Sequence, residues 1–228
     1  GGYFTFDGTG DYLTVPSTSD FAFGTGDFTV EYWVKTTDSP AGTDYGYYGG
    51  GATPGSPGIQ STVDRIDYSS DTPTATAKGP LTIKRFSMGA TGNINYGYFG
   101  GGTTGMIDYS TVDRIDYSSD TPTATAKGPF PFQRRELGAT STTSYGYFAG
   151  GRIGAPATIS EISSVDRIDY SNDTATAAPK GPLTYTAQFA GTVGNQSYGY
   201  FAGGNRAKIS AVRYSTVSRI DYSNDTAD

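Results

Sequence analysis

Neither cysteine nor histidine occurs anywhere in the 228 residues. The first absence excludes disulfides, thiolate nucleophiles and zinc-thiolate sites. The second removes the imidazole base, the serine–histidine triad and the commonest transition-metal ligand. Together they argue against an enzyme and imply no cofactor. Basic residues are outnumbered by acidic ones, 16 to 22, and the net charge of −6 speaks against binding to nucleic acid or insertion into an anionic membrane. No apolar run reaches the length of a transmembrane helix, and the first residues show no basic-then-apolar signal segment. Strong helix formers are scarce. Glycine (33 residues) and tyrosine (19) are plentiful instead, a mix that favours short strands joined by tight turns.

Against this background one stretch is written four times. Its third copy reads Tyr145-Gly-Tyr-Phe-Ala-Gly-Gly151, then a variable loop, then Ser164-Val-Asp-Arg-Ile-Asp-Tyr-Ser171. The aromatic half starts at Tyr45, Tyr96, Tyr145 and Tyr198, and the valine half at Val63, Val112, Val165 and Val217. A period of about fifty residues marks a repeat architecture built from one supersecondary unit. A full period reads as four short strands: the valine-arginine strand, a threonine-rich strand near Thr74–Lys78, a segment led by Arg85, and the aromatic strand ending in its glycine doublet.

That order of strands resembles a kelch repeat, and the resemblance spans residues 45 to 228. It implies an all-β fold in which each repeat is one four-stranded blade, four of them forming a small β-propeller. Small residues around Ala75, Ala124 and Ala177 stand where kelch repeats usually carry a tryptophan. Residues 1–40 are worded differently. Tyr3–Phe6, Asp11–Pro16 and Asp27–Val34 read as strands and resemble the opening of a laminin-G or concanavalin-type jelly roll. The domain division expected is 1–40 and 41–228. The last copy stops before a fourth strand and the first lacks its inner one, so the N-terminal strands are expected to close the ring, or else to complete a neighbour in a fibre.

Arg65, Arg114, Arg167 and Arg219 recur with Asp67, Asp116, Asp169 and Asp221, two residues apart on one strand face. A set present in every copy reads as a per-blade structural pair, bridging to adjacent strands or blades. The turns Asp67-Tyr-Ser-Ser-Asp71 and Asp169-Tyr-Ser-Asn-Asp173 offer calcium-type oxygen ligands, yet they lack an EF-hand register and suit a hairpin turn as they stand. Asn172, Asn195 and Asn224 open glycosylation sequons.

The copies differ most in the loops Ala52–Gln60, Thr103–Tyr109, Arg152–Ile162 and Asn205–Tyr214. Only the last is distinctly basic, with Arg206, Lys208 and Arg213 beside Tyr214, which makes these four the candidate contact residues on one rim. Repeats of this wording after a jelly-roll-like opening resemble structural proteins of phage virions and tail fibres. The expectation is a non-enzymatic structural or adhesive module on an extracellular or virion surface. Its expected partners are copies of itself, other virion or fibre proteins, and a cell-surface glycan. The alternative is a fibre-forming extracellular protomer, glycosylated and assembled by strand exchange.

Overall fold

A computed structural model describes residues 44–53, 58–70, 74–154, 159–206 and 212–227. The N-terminal strands expected at 3–6, 11–16 and 27–34 lie outside these residues. All regular structure within them is β-strand, in small antiparallel sheets that follow one another along the chain. The first sheet holds β1 (Tyr45–Ala52), β2 (Ile59–Asp67) and β3 (Thr76–Lys78). The second holds β4 (Gly89–Gly92), β5 (Tyr96–Gly100), β6 (Val112–Asp116) and β7 (Thr125–Lys127), in that order.

The third repeats this layout with β8 (Gly138–Ser141), β9 (Tyr145–Ala149), β12 (Val165–Asp169) and β13 (Ala178–Lys180), and carries a hairpin of β10 (Arg152–Ile153) with β11 (Ser160–Glu161). The fourth is formed by β14 (Gly191–Gly194), β15 (Tyr198–Ala202), β18 (Val217–Asp221) and β19 (Thr226–Ala227), with a hairpin of β16 (Asn205–Arg206) and β17 (Val212–Arg213). The last sheet is therefore four-stranded. The last copy reads as stopping before a fourth strand, yet that strand is present, with Ile220 and Asp221 pairing with Ala227 and Thr226.

The repeated wording follows from cross-strand geometry. Gly97 pairs with Ile115, and a side chain at Gly97 would stand 2.7 Å from the Tyr117 hydroxyl; Gly146 meets Tyr170 in the same way. The glycine between two tyrosines is thus space left for a third ring. The glycine doublets turn with positive φ at Gly101, Gly102, Gly150 and Gly151, where other residues would be strained. The second N–H of each doublet crosses to the segment leading the next sheet, from Gly51 to the Arg85 carbonyl (3.0 Å), Gly102 to Arg134 (2.9 Å) and Gly151 to Ala187 (2.8 Å).

Between sheets the valine of one packs on the phenylalanine and isoleucine of the next. Val63 meets Phe99 and Ile115, Val112 meets Phe148 and Ile168, and Val165 meets Phe201 and Ile220. Each of these steps is locked by a single aspartate. Asp120 accepts from the Tyr47 hydroxyl (2.9 Å) and Arg65 (2.8 Å) and pairs with Lys78 (3.3 Å). Asp173 does the same for Tyr98 (2.9 Å), Arg114 (2.7 Å) and Lys127 (3.1 Å). Asp225 does so for Tyr147, Arg167 and Lys180. A tyrosine stack accompanies every step, Tyr47 on Tyr117, Tyr98 on Tyr170 and Tyr147 on Tyr222.

The repeated arginines bridge to the next sheet, as their recurrence suggested, but the aspartates two residues on do not. Arg114 reaches Asp173 of the following sheet, not Asp116 on its own strand. Asp116 instead accepts the backbone and side chain of Ser118 in the turn beyond it, and Asp67, Asp169 and Asp221 do likewise with Ser69, Ser171 and Ser223. A carboxylate already committed to its own turn is poorly placed to bridge sheets.

Candidate functional site

The four variable loops leave one end of the sheets, because each joins an aromatic strand to the valine-arginine strand beside it. The tight turns 93–95, 142–144 and 195–197 and the Asp-Tyr-Ser turns lie at the other end. Tyr117 N–H to Asn95 O (3.0 Å) and Tyr170 N–H to Ser144 O (3.0 Å) tie those turns together. The loop end is the rim anticipated for contacts.

Beneath it lies a chain of charges. Arg135 pairs with Asp108 of the preceding loop and stands 3.7 Å from Glu136, which receives Arg152 at 2.6 Å. Glu161 on β11 faces Arg206 on β16 at 3.8 Å. Asp108, Arg135, Glu136 and Glu161 are all buried. Burial pushes the Glu136 carboxyl above the usual carboxylate range, opposed by Arg152 and Arg135. Its Oε2, the Arg152 and Arg206 Nε atoms and Gln188 Oε1 have no hydrogen-bond partner among the described residues. The backbone is also unusual here. Glu136 adopts φ 61°, as do Ser87 (59°) and Phe189 (56°) at the equivalent positions. A ladder runs through them, from Glu136 N–H to Ser87 O (2.8 Å) and Phe189 N–H to Glu136 O (3.0 Å).

Of the residues expected at the rim, Arg206 sits on β16 against Glu161, and Arg213 is exposed on β17 opposite Asn205. Tyr214 is half-buried, its ring tilted against Tyr185 at 5.1 Å, so it serves packing as much as contact. Lys208 lies outside the described residues. Met106 and Ile107, 93% and 57% exposed, belong to the same rim on the loop after β5. The sequence reading passed over them and the Asp108–Arg135–Glu136–Arg152 chain. A signal for the chain existed, since the third copy has Arg134-Arg135-Glu136 where the second has Arg85-Phe86-Ser87 and the fourth Ala187-Gln188-Phe189. The sequon asparagines Asn172, Asn195 and Asn224 are exposed, but they occupy turns at the opposite end, their side-chain oxygens accepting from Thr174, Tyr198 and Thr226 respectively.

The carboxylates that resembled calcium ligands are engaged elsewhere, Asp169 in its own turn and Asp173 by Tyr98, Arg114 and Lys127. Among the described residues no group of three or more metal-ligating side chains converges.

No family model matches the chain, and no curated protein is similar to it. Among solved structures it is similar to one titled "Structure of YjhT", with a TM-score of 0.61 and 14% identity over 75% of this chain. The match spans about half of that structure, 52% of its length. At this identity the likeness concerns the fold alone. Together with four consecutive antiparallel sheets packed face to face, it is consistent with a β-propeller-like class of protein.

Proposed function

We propose that the four sheets are kelch-like blades of a propeller-like body, and that the body is a non-enzymatic structural or adhesive module. It presents its loop rim to a glycan or a partner protein, in the manner of a virion or tail-fibre component on an extracellular or virion surface. One observation carries this reading. Inter-sheet residues are repeated almost unchanged, whereas length and chemistry vary at the rim, where Met106, Ile107 and Arg213 are exposed. Binding proteins place variation on loops held by a rigid scaffold. The ionised groups beneath the rim are matched as guanidinium–carboxylate pairs, an arrangement suited to holding loops in place. Four blades closed into a ring by residues 1–40 is the tighter form of the same proposal.

The test replaces Lys208 and Arg213 together by serine, leaving Arg206 against Glu161, and measures attachment to an array of acidic glycans and to cell-surface extracts. The fold should melt as before, while attachment weakens and loses salt dependence. Attachment of equal strength and equal salt dependence would sink the assignment of these residues.

A further inference from the structure

The three internal steps share one pattern, and the two outermost sheet faces carry the two halves of that pattern exposed. The forward face of each sheet bears the valine that the next sheet covers. Val63, Val112 and Val165 are 0%, 0% and 1% exposed, but their fourth-sheet equivalent Val217 is 56% exposed. On the same face Val193 is 66% exposed, where its third-sheet counterpart Thr140 is buried. Tyr200 is half-buried, whereas its counterparts Tyr98 and Tyr147 are fully covered. The backward face of each sheet bears an aromatic residue and a tyrosine that receive the previous sheet. Phe99, Phe148 and Phe201 are buried there, while Tyr48 of the first sheet is 53% exposed. Tyr68 is 57% exposed, although Tyr117, Tyr170 and Tyr222 are stacked under the preceding sheet.

We infer that the forward face of the fourth sheet docks on the backward face of the first sheet of a second copy, continuing the internal step between molecules. Tyr68 of one molecule then stacks on Tyr200 of the next, and Tyr48 covers Val217, as Phe99 covers Val63 inside the chain. The two faces are complementary, not alike, so the contact is head to tail and propagates instead of closing as a symmetric dimer. No strand is exchanged, because sheets meet face to face with their own hydrogen bonding intact. The inference goes beyond the adhesive reading, does not depend on the rim, and replaces closure of the ring within one molecule by contact between molecules.

Sedimentation of the full chain over a range of concentrations tests it, alone and as Val217→Asp and Tyr68→Asp. Both positions are exposed, so thermal unfolding of the dilute variants should match the native chain. The native chain should form a concentration-dependent series of oligomers, and each variant alone should lose every species beyond the monomer. An equimolar mixture of the two variants should recover a dimer and stop there, since one intact head and one intact tail remain. A native chain that stays monomeric at all concentrations would overturn the inference. So would oligomers indifferent to both substitutions, or a mixture that recovers nothing. Should both variants melt lower than a monomeric native chain, the faces are covered within one molecule, by ring closure or by residues 1–43, and the inference is equally overturned.

Discussion

The second, third and fourth sheets solve one interior problem in different ways. In the second, Arg85 lies wholly buried beside Asp113 at 3.0 Å and donates to the Phe99 carbonyl, while Thr82 gives Asp113 two further hydrogen bonds. In the third, Arg134 pairs with Asp166 at 2.7 Å and reaches the carbonyls of Phe148 and Ser164. Pro131 stands where Thr82 did and offers neither a hydroxyl nor an N–H, so Asp166 leans on Arg134 alone. Burial pushes the Arg134 guanidinium down to about 10 and the Asp166 carboxyl up, each opposed by the partner's charge.

The fourth sheet abandons the ion pair. Ala187 and Ser218 replace arginine and aspartate, and the Tyr185 hydroxyl lies 3.1 Å from the Phe201 carbonyl and 3.2 Å from that of Thr216, the same two acceptors. Ser218 takes the N–H of Thr184 (3.1 Å). A buried ion pair is thus dispensable when a neutral donor serves the carbonyls, but each of its halves is costly alone.

The largest effect expected is therefore that of Arg134→Ala, which leaves Asp166 buried without its guanidinium partner. A loss of about 3–5 kcal/mol in denaturant unfolding is predicted. Arg85→Ala should cost less, because Thr82 still serves Asp113. An equal cost for the two would break the distinction drawn between these sheets.

Next comes the clamp. Asp173→Ala removes the acceptor shared by Tyr98, Arg114 and Lys127, and about 2–3 kcal/mol should go, the partial exposure of Arg114 limiting the loss. Asp116→Ala touches only its own exposed turn and should change the unfolding midpoint far less. Similar losses at both would return the structural pairing to the same-strand aspartate.

A smaller effect is expected from pH. Burial raises the Asp120 and Asp225 carboxyls, but the tyrosine, lysine and arginine around each outweigh it and hold both below the ordinary range. Depressed carboxylates contribute stability above the unfolded pKa, about 4, and lose it as pH falls through the folded value. Glu136 has the opposite sign. Its raised value means that its contribution is present at acid pH and lost as pH rises through the folded value. Glu136→Gln should steepen the loss of stability on acidification, since its opposing contribution is then gone. A shallower acid limb in melting curves would contradict this.

Much of the fold was legible because one pattern is repeated. The period, the strand order and the structural role of the arginines could all be read from positions that recur. The partner of Arg114 could not, because the positions of Asp116 and Asp173 both recur and only packing between sheets selects the second. The two-residue strand β19 escaped notice because Thr226 and Ala227 carry no alternating pattern. The charge chain beneath the rim escaped for a different reason. Asp108, Arg135, Glu136 and Arg152 come from separated segments and recur in no other copy, so only the fold brings them together.

The claim that the sheets are interchangeable solutions to one packing problem is tested most directly by moving the fourth sheet's solution into the third. The triple substitution Phe132→Tyr, Arg134→Ala, Asp166→Ser places a hydroxyl, an alanine and a serine where Tyr185, Ala187 and Ser218 stand. Its unfolding free energy, measured beside that of Arg134→Ala, should recover most of the single variant's loss. A triple variant as unstable as Arg134→Ala alone would contradict the account.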